Sequence, residues 1–244
     1  MGKIHGRGPV SNPETGEIAA VAIVRIGPGM CPTCGVQLFR HGWAKLAWLA
    51  GLGLWMALCY FPAQVWNPRS PWVVPYLPLE PRPDYHPVWV LMYQSVWLAH
   101  AAMIWAPGCL EPARRYARDT AISYALAAPV FWILPTTVNR PSEGDSLYRS
   151  LVLALDGPTN ALPSLHAVMA ALVVLHLRPA VGRPVYVMLG VWWVFLLAAT
   201  LATGQHRMLD LLAGTALAAG VHFAGGGSRS GRCGRWTGAI RNRP

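Results

Sequence analysis

The chain has 244 residues, of which 54% are apolar and 12% charged. A soluble domain carries about twice that charged fraction, so composition argues against an ordinary soluble globule and for a membrane class. The net charge of +10 would suit a nucleic-acid binder, but the charges fall in tails and short connectors beside apolar runs, a membrane pattern that implies no nucleic-acid partner.

Residues 1–42 are largely polar and read as a cytoplasmic N-terminal tail. No cleavable signal peptide is visible, so the first apolar run is expected to act as an uncleaved span. The tail carries a Cys31-Pro-Thr-Cys34-Gly knuckle with zinc-ribbon spacing. A closed structural site needs four ligands; no second pair follows, and His41 is the one candidate third ligand. A reduced cytosolic turn is therefore preferred, and the remaining cysteines, Cys59, Cys109 and Cys233, form no disulfide framework.

A helix needs about 20 apolar residues to cross a bilayer. Such runs occur at Trp43–Phe61, Pro87–Ala106, Thr120–Val138, Ser164–Leu177, Val185–Thr203 and Arg207–Ala224. They predict an all-α membrane bundle of about six helices over 43–224, followed by a basic cytoplasmic tail, 225–244. Trp43, Trp66, Trp72 and Trp105 lie near span ends, where amphipathic rings prefer the interface. Six spans put both termini on one side. That side holds fifteen Lys and Arg, including Lys45, Arg114, Arg115 and Arg118, against five opposite: Arg69, Arg82, Arg140, Arg149 and Arg207. The asymmetry places the termini in the cytoplasm and the 62–86, 139–163 and 204–206 loops outside.

Three outward segments collect the unusual polar residues: Thr136-Thr-Val-Asn-Arg140-Pro141, Asn160-Ala-Leu-Pro-Ser164-Leu-His166 and Thr203-Gly-Gln-His206-Arg-Met-Leu-Asp210. His206 and Asp210 are four positions apart, hence on one helix face about 6 Å apart along the axis. A carboxylate among Met208, Leu209, Leu211 and Leu212 is costly and marks a functional candidate. Asp210 can accept a hydrogen bond from one imidazole nitrogen of His206 and leave the other free as a nucleophile. Ser164 is a candidate helix cap with His166 in the first turn. The position four residues beyond His166 is Ala170, so His166 has no local carboxylate, which suits a general acid. Helix N-termini favour anions, Arg140 offers a planar fork for phosphate, and Arg207 adds a second cation.

Together, Arg140-Pro141, Pro163-Ser164-Leu165-His166 and His206-Arg-Met-Leu-Asp210 resemble the type 2 phosphatidic acid phosphatase (lipid phosphate phosphatase) superfamily, over roughly Trp43 to Ala224. The string Asp156-Gly-Pro-Thr-Asn-Ala-Leu-Pro-Ser-Leu-His166 is similar to the branch containing inositol phosphorylceramide synthases and their bacterial relatives. The resemblance implies a metal-independent, cofactor-free enzyme of a bacterial inner membrane with an outward site. In it His206 would become phosphorylated, Asp210 would orient it and His166 would protonate the departing alcohol. Arg140, Ser164 and nearby backbone would hold the phosphoryl oxygens, and Arg207, outside the family pattern, would compensate for cations that this chain lacks. Two family positions differ: Ile133 stands where a Lys is common, and Ala199 and Thr200 where Ser-Arg is common. The expected function is a phosphatase of lipid phosphates or polyprenyl diphosphates. The alternative is a phosphotransferase passing a phosphorylated headgroup to an alcohol.

Rival readings are a transporter or channel lined by the same polar residues, and a Zn²⁺ hydrolase liganded by His166, His206 and Asp210. Outside the site, His100 is expected to pair with a polar group on another helix. His176 and His222 are expected to snorkel to the inner surface or meet headgroups. In the sixth span, Ala213-Gly214-Thr215 and Ala218-Ala219-Gly220 read as close helix packing.

Overall fold

The computed structural model describes residues 41–78, 80, 83, 86–107, 110–140 and 156–227. Both tails, including the Cys31–Cys34 knuckle, and Pro141 and Arg149 lie outside these residues. Six helices are described: α1 (Gly42–Trp66), α2 (Pro87–Trp105), α3 (Leu110–Ile133), α4 (Leu165–Leu177), α5 (Arg183–Ala202) and α6 (Met208–Ala224). Two short strands, β1 (Trp72–Val73) and β2 (Thr136–Thr137), pair in parallel with Trp72 opposite Thr136. The fold is mostly helical, as expected.

The ends of the helices follow from local chemistry. Ser164 caps α4, its side chain accepting from Ala167 N, which satisfies one of the orphan amides of the first turn. Pro87 opens α2 behind His86, whose ring accepts from Val88 N; proline suits the first helical turn because it has no amide to leave unpaired. At the far end of α3, Asn67 Nδ2 donates to the carbonyls of Phe131 and Trp132, and Arg69 Nη1 to those of Trp132 and Ile133. These bonds close α3 and fix the β1 segment beside β2.

The third predicted span is displaced. α3 begins at Leu110, so Arg114, Arg115 and Arg118 are helical rather than in a connector, and it stops at Ile133. Glu111 and Arg115 form an i,i+4 pair at 2.7 Å within that polar first half, the type of contact that supports an exposed helix. Thr136 and Thr137, counted inside the apolar run, are strand.

Among the described residues, three helices are long and apolar enough to cross a membrane: α1, α2 and α5. α4 and α6 are apolar but shorter. Leu54, Leu58, Leu91, Leu98, Val187, Met188 and Val194 are exposed on the three long helices. Apolar side chains exposed on this scale need a covering, and together with helix length they point to membrane association.

α4 lies at the centre. Residues Leu165 through Val173 are all buried, as an all-round apolar helix requires, and α4 packs against α2, α3, α5 and α6. Its packing on α6 is closest at Gly214, where an added Cβ would come within 2.3 Å of the Ser164 carbonyl oxygen. The sequence expectation of close packing holds at Gly214, whereas a Cβ on Gly220 would meet nothing within 4 Å. Lys45, counted as a charge of the inner face, is buried and donates from Nζ to Trp105 O at 2.6 Å.

Candidate active site

The three polar segments meet at one end of the bundle. The backbone amide of Ser164 donates to Asp210 O at 3.1 Å and that of Ala161 to Thr136 O at 3.3 Å. Leu162 N donates to Thr136 Oγ1 at 2.8 Å, and Arg207 Nη2 to Asn139 O at 3.3 Å. α1 joins them, because Asn160 Nδ2 donates to Tyr60 O at 2.8 Å. A cavity of about 260 Å³ opens here. Its lining mixes polar groups, among them Tyr60, Arg140, Asp156, His166 and His206, with apolar ones, among them Met56, Phe61, Trp97, Leu165 and Met169.

His206 precedes α6 instead of lying on it: the helix starts at Met208, with Arg207 as its cap residue. The expectation that His206 and Asp210 share a helix face is therefore corrected. The turn still brings His206 Nδ1 to 3.5 Å from Asp210 Oδ2. That oxygen accepts from Arg207 N at 2.7 Å, so the carboxylate is held by the backbone of the turn that carries the histidine. Asp210 is fully buried, and its Oδ1 has no hydrogen-bond partner among the described residues. Nδ1 is the ring nitrogen near Asp210 but makes no hydrogen bond among the described residues. The expected orienting bond is replaced by a close contact, and the ring borders the cavity.

His166 has a partner that the sequence reading missed. Its Nδ1 lies 3.2 Å from Tyr93 Oη, and the same hydroxyl donates to Asp156 Oδ2 in a short hydrogen bond. The Tyr93 and His166 rings stack at 4.2 Å between centroids, and Trp97 meets the imidazole edge-on. A carboxylate thus reaches His166 through a phenol, from α2, rather than from its own helix. His166 Nε2 is buried with no hydrogen-bond partner among the described residues. Such a nitrogen calls for a partner that arrives from outside the protein. The two imidazoles stand 6.1 Å apart, centroid to centroid.

The anion-binding candidates divide. Arg140 lines the cavity, donates from Nη1 to Asp156 O at 3.1 Å, and keeps a buried Nε without a partner among the described residues. Ser164 is fully buried behind the wall, its hydroxyl engaged as the α4 cap. Arg207 turns away from the cavity lining. Its guanidinium lies 4.6 Å from the Tyr76 ring centroid and 4.0 Å from Glu80 Oε2. Glu80 Oε1 in turn accepts from Met208 N at 2.8 Å, so the 72–80 segment is strapped across the start of α6. Nothing in the local sequence around Tyr76 or Glu80 signals this role.

The family model of the PAP2 superfamily matches residues 82–224, more than half of the chain. The chain belongs to the PAP2 superfamily. The PAP2 match spans Arg140, both histidines and Asp210, along with Tyr93 and Asp156. The superfamily generally catalyses phosphoester hydrolysis, so membership points to phosphatase-type activity. No curated protein and no solved structure gives a significant match to this PAP2 chain.

Proposed function

We propose that this PAP2 protein is a membrane phosphatase that acts on lipid phosphates or polyprenyl diphosphates through a phosphohistidine at His206. The observation that carries the reading is the pair of imidazoles bordering one cavity 6.1 Å apart, with Arg140 and several apolar side chains in the same lining. A phosphate ester with a hydrocarbon tail suits a lining of that mixed character.

In the proposed sequence His206 Nε2 attacks phosphorus and the bond from phosphorus to the alkoxy oxygen breaks. His166 Nε2 gives its proton to that oxygen, and the alcohol leaves. Water then attacks the phosphoryl group on His206, losing a proton to His166 and restoring both rings. Asp210 stabilises the charge that develops on His206, while Arg140 neutralises the phosphoryl oxygens. Ser164 acts by fixing the start of α4, and Arg207 by anchoring the 72–80 strap. The wider frame remains the one expected from sequence: six spans, both termini cytoplasmic, the cavity outward, and a bacterial inner membrane.

A second reading, transfer of a phosphorylated headgroup to an alcohol, uses the same residues. The Asp156–Tyr93–His166 chain would serve an incoming hydroxyl as readily as water. The test is phosphate release from a panel of lipid phosphates and prenyl diphosphates, with and without added alcohol acceptors. Free phosphate alone supports hydrolysis, and a phosphate ester of the added alcohol, or its phosphodiester when a lipid phosphodiester is the donor, supports transfer. Unchanged turnover by His206→Ala would sink both.

A further inference from the structure

His176 and His222 do not snorkel. They converge on Asp119 at the opposite end of the bundle from the cavity, and the expectation of free, headgroup-facing imidazoles is corrected. His176 Nε2 lies 3.0 Å from Asp119 Oδ2, His222 Nδ1 lies 3.5 Å from the same oxygen, and the two nitrogens are 3.3 Å apart. Asp119 and His222 are buried, and the His176 side chain is 11% exposed.

Protons satisfy this triangle in one way, with both imidazoles donating to Asp119 Oδ2, which crowds two N–H groups whose nitrogens stand 3.3 Å apart onto one oxygen. A ring nitrogen is either a donor or an acceptor, so the His176–His222 contact then carries no hydrogen bond. One cation at the centre turns all three atoms into ligands at once. For Zn–N and Zn–O bonds near 2.1 Å, tetrahedral geometry puts neighbouring donor atoms about 3.4 Å apart. The observed edges of 3.0, 3.5 and 3.3 Å fit that triangle. The other carboxylate oxygen, Oδ1, accepts from Arg118 Nε and Nη2 at 2.9 and 2.7 Å, an outer contact of the kind that orients metal-binding carboxylates.

We propose that Asp119 Oδ2, His176 Nε2 and His222 Nδ1, with water as the fourth ligand, bind a divalent transition metal ion, Zn²⁺ foremost, which staples α3, α4 and α6 together away from the cavity. Neutral imidazoles and one carboxylate suit Zn²⁺ or Co²⁺ better than Mg²⁺ or Ca²⁺, which prefer all-oxygen shells. The inference does not depend on the reaction assigned to the cavity.

The test uses the full chain in detergent carrying Cys31→Ser and Cys34→Ser, so that the knuckle contributes no ligand. The protein is stripped with chelator, loaded with Zn²⁺ or Co²⁺, desalted and assayed for metal. Expected are one equivalent per chain, a tetrahedral ligand-field spectrum with Co²⁺, and a Zn²⁺-dependent rise in Tm of roughly 5 °C or more. Asp119→Asn and His176→Ala/His222→Ala should lose the equivalent and the Tm shift, and His166→Ala/His206→Ala should keep both. Protein that retains neither metal after loading, or metal that leaves with the cavity histidines instead, overturns the proposal.

Discussion

The hydroxyl of Tyr93 lies 3.2 Å from Nδ1 of His166, on a ring stacked against the imidazole. The phenol therefore both orients the histidine and links it to Asp156. Tyr93→Phe keeps the stacked ring and removes only the link. We expect kcat to fall roughly tenfold to hundredfold, less than the about 10²- to 10⁴-fold of losing the proton-transfer group itself, with KM little changed. A proportionate rise in KM would assign Tyr93 to binding instead.

His206 and His166 should separate by leaving group. His206→Ala is expected to abolish turnover of every substrate because the nucleophile is gone. His166→Ala should cost about 10²- to 10⁴-fold on an alkyl phosphate, and far less on p-nitrophenyl phosphate, whose phenolate departs without a proton. Parallel rate measurements on the two substrates check the assignment; equal losses on both contradict it.

Arg140 is expected to be irreplaceable by lysine. Its planar fork spans the Asp156 carbonyl on one side and the cavity on the other, and a lysine ammonium reproduces neither the plane nor the five donors. Arg140→Lys and Arg140→Ala should both raise KM for phosphate esters. Rescue by lysine to wild-type kcat/KM would reduce Arg140 to a simple positive charge.

Gly214 should not tolerate a side chain. A Cβ there would sit 2.3 Å from the Ser164 carbonyl, which is backbone and cannot swing aside. Gly214→Ala must push α6 from α4, at a cost of about 1–3 kcal/mol, and it disturbs the Ser164–Asp210 bond between the two catalytic segments. Lower Tm together with lower activity is the expected outcome. Gly220→Ala, where the space is open, provides the control with neither effect.

Glu80 is expected to matter for stability more than for chemistry. It accepts from Met208 N and faces Arg207 without lining the cavity. Glu80→Ala leaves a first-turn amide unpaired and should cost about 1 kcal/mol, as for the loss of a helix cap. Thermal unfolding measures it. A collapse of kcat at unchanged Tm would place Glu80 in the reaction.

The sequence made the histidines and Asp210 legible because their spacing is local and their cost in an apolar setting is high. The sharing of one helix face was an arithmetic assumption, and it failed where α6 starts two residues after His206. Tyr93 was invisible: a tyrosine in an apolar helix is ordinary core, and its meaning comes from Asp156, 63 positions away. The displaced start of α3 has another cause. Hydropathy reports contact with lipid, whereas helix formation through Glu111 and Arg115 requires only good backbone propensity and compatible charges. His176, His222 and Asp119 escaped for the same reason as Tyr93, since they meet only when α3, α4 and α6 pack.

α4 and α6 run side by side in the same direction, α4 bearing His166 at its start and α6 following closely on His206, and each carries a histidine of the Asp119 cluster near its end. From His166 to His176 is ten residues, about 15 Å along α4. Gly214 and the Ser164–Asp210 bond pin the pair at the start, and the His176–His222 contact gathers it at the finish. The two helices therefore behave as the legs of one rigid frame. The gap between the two cavity imidazoles is set by joinery at both ends of that frame.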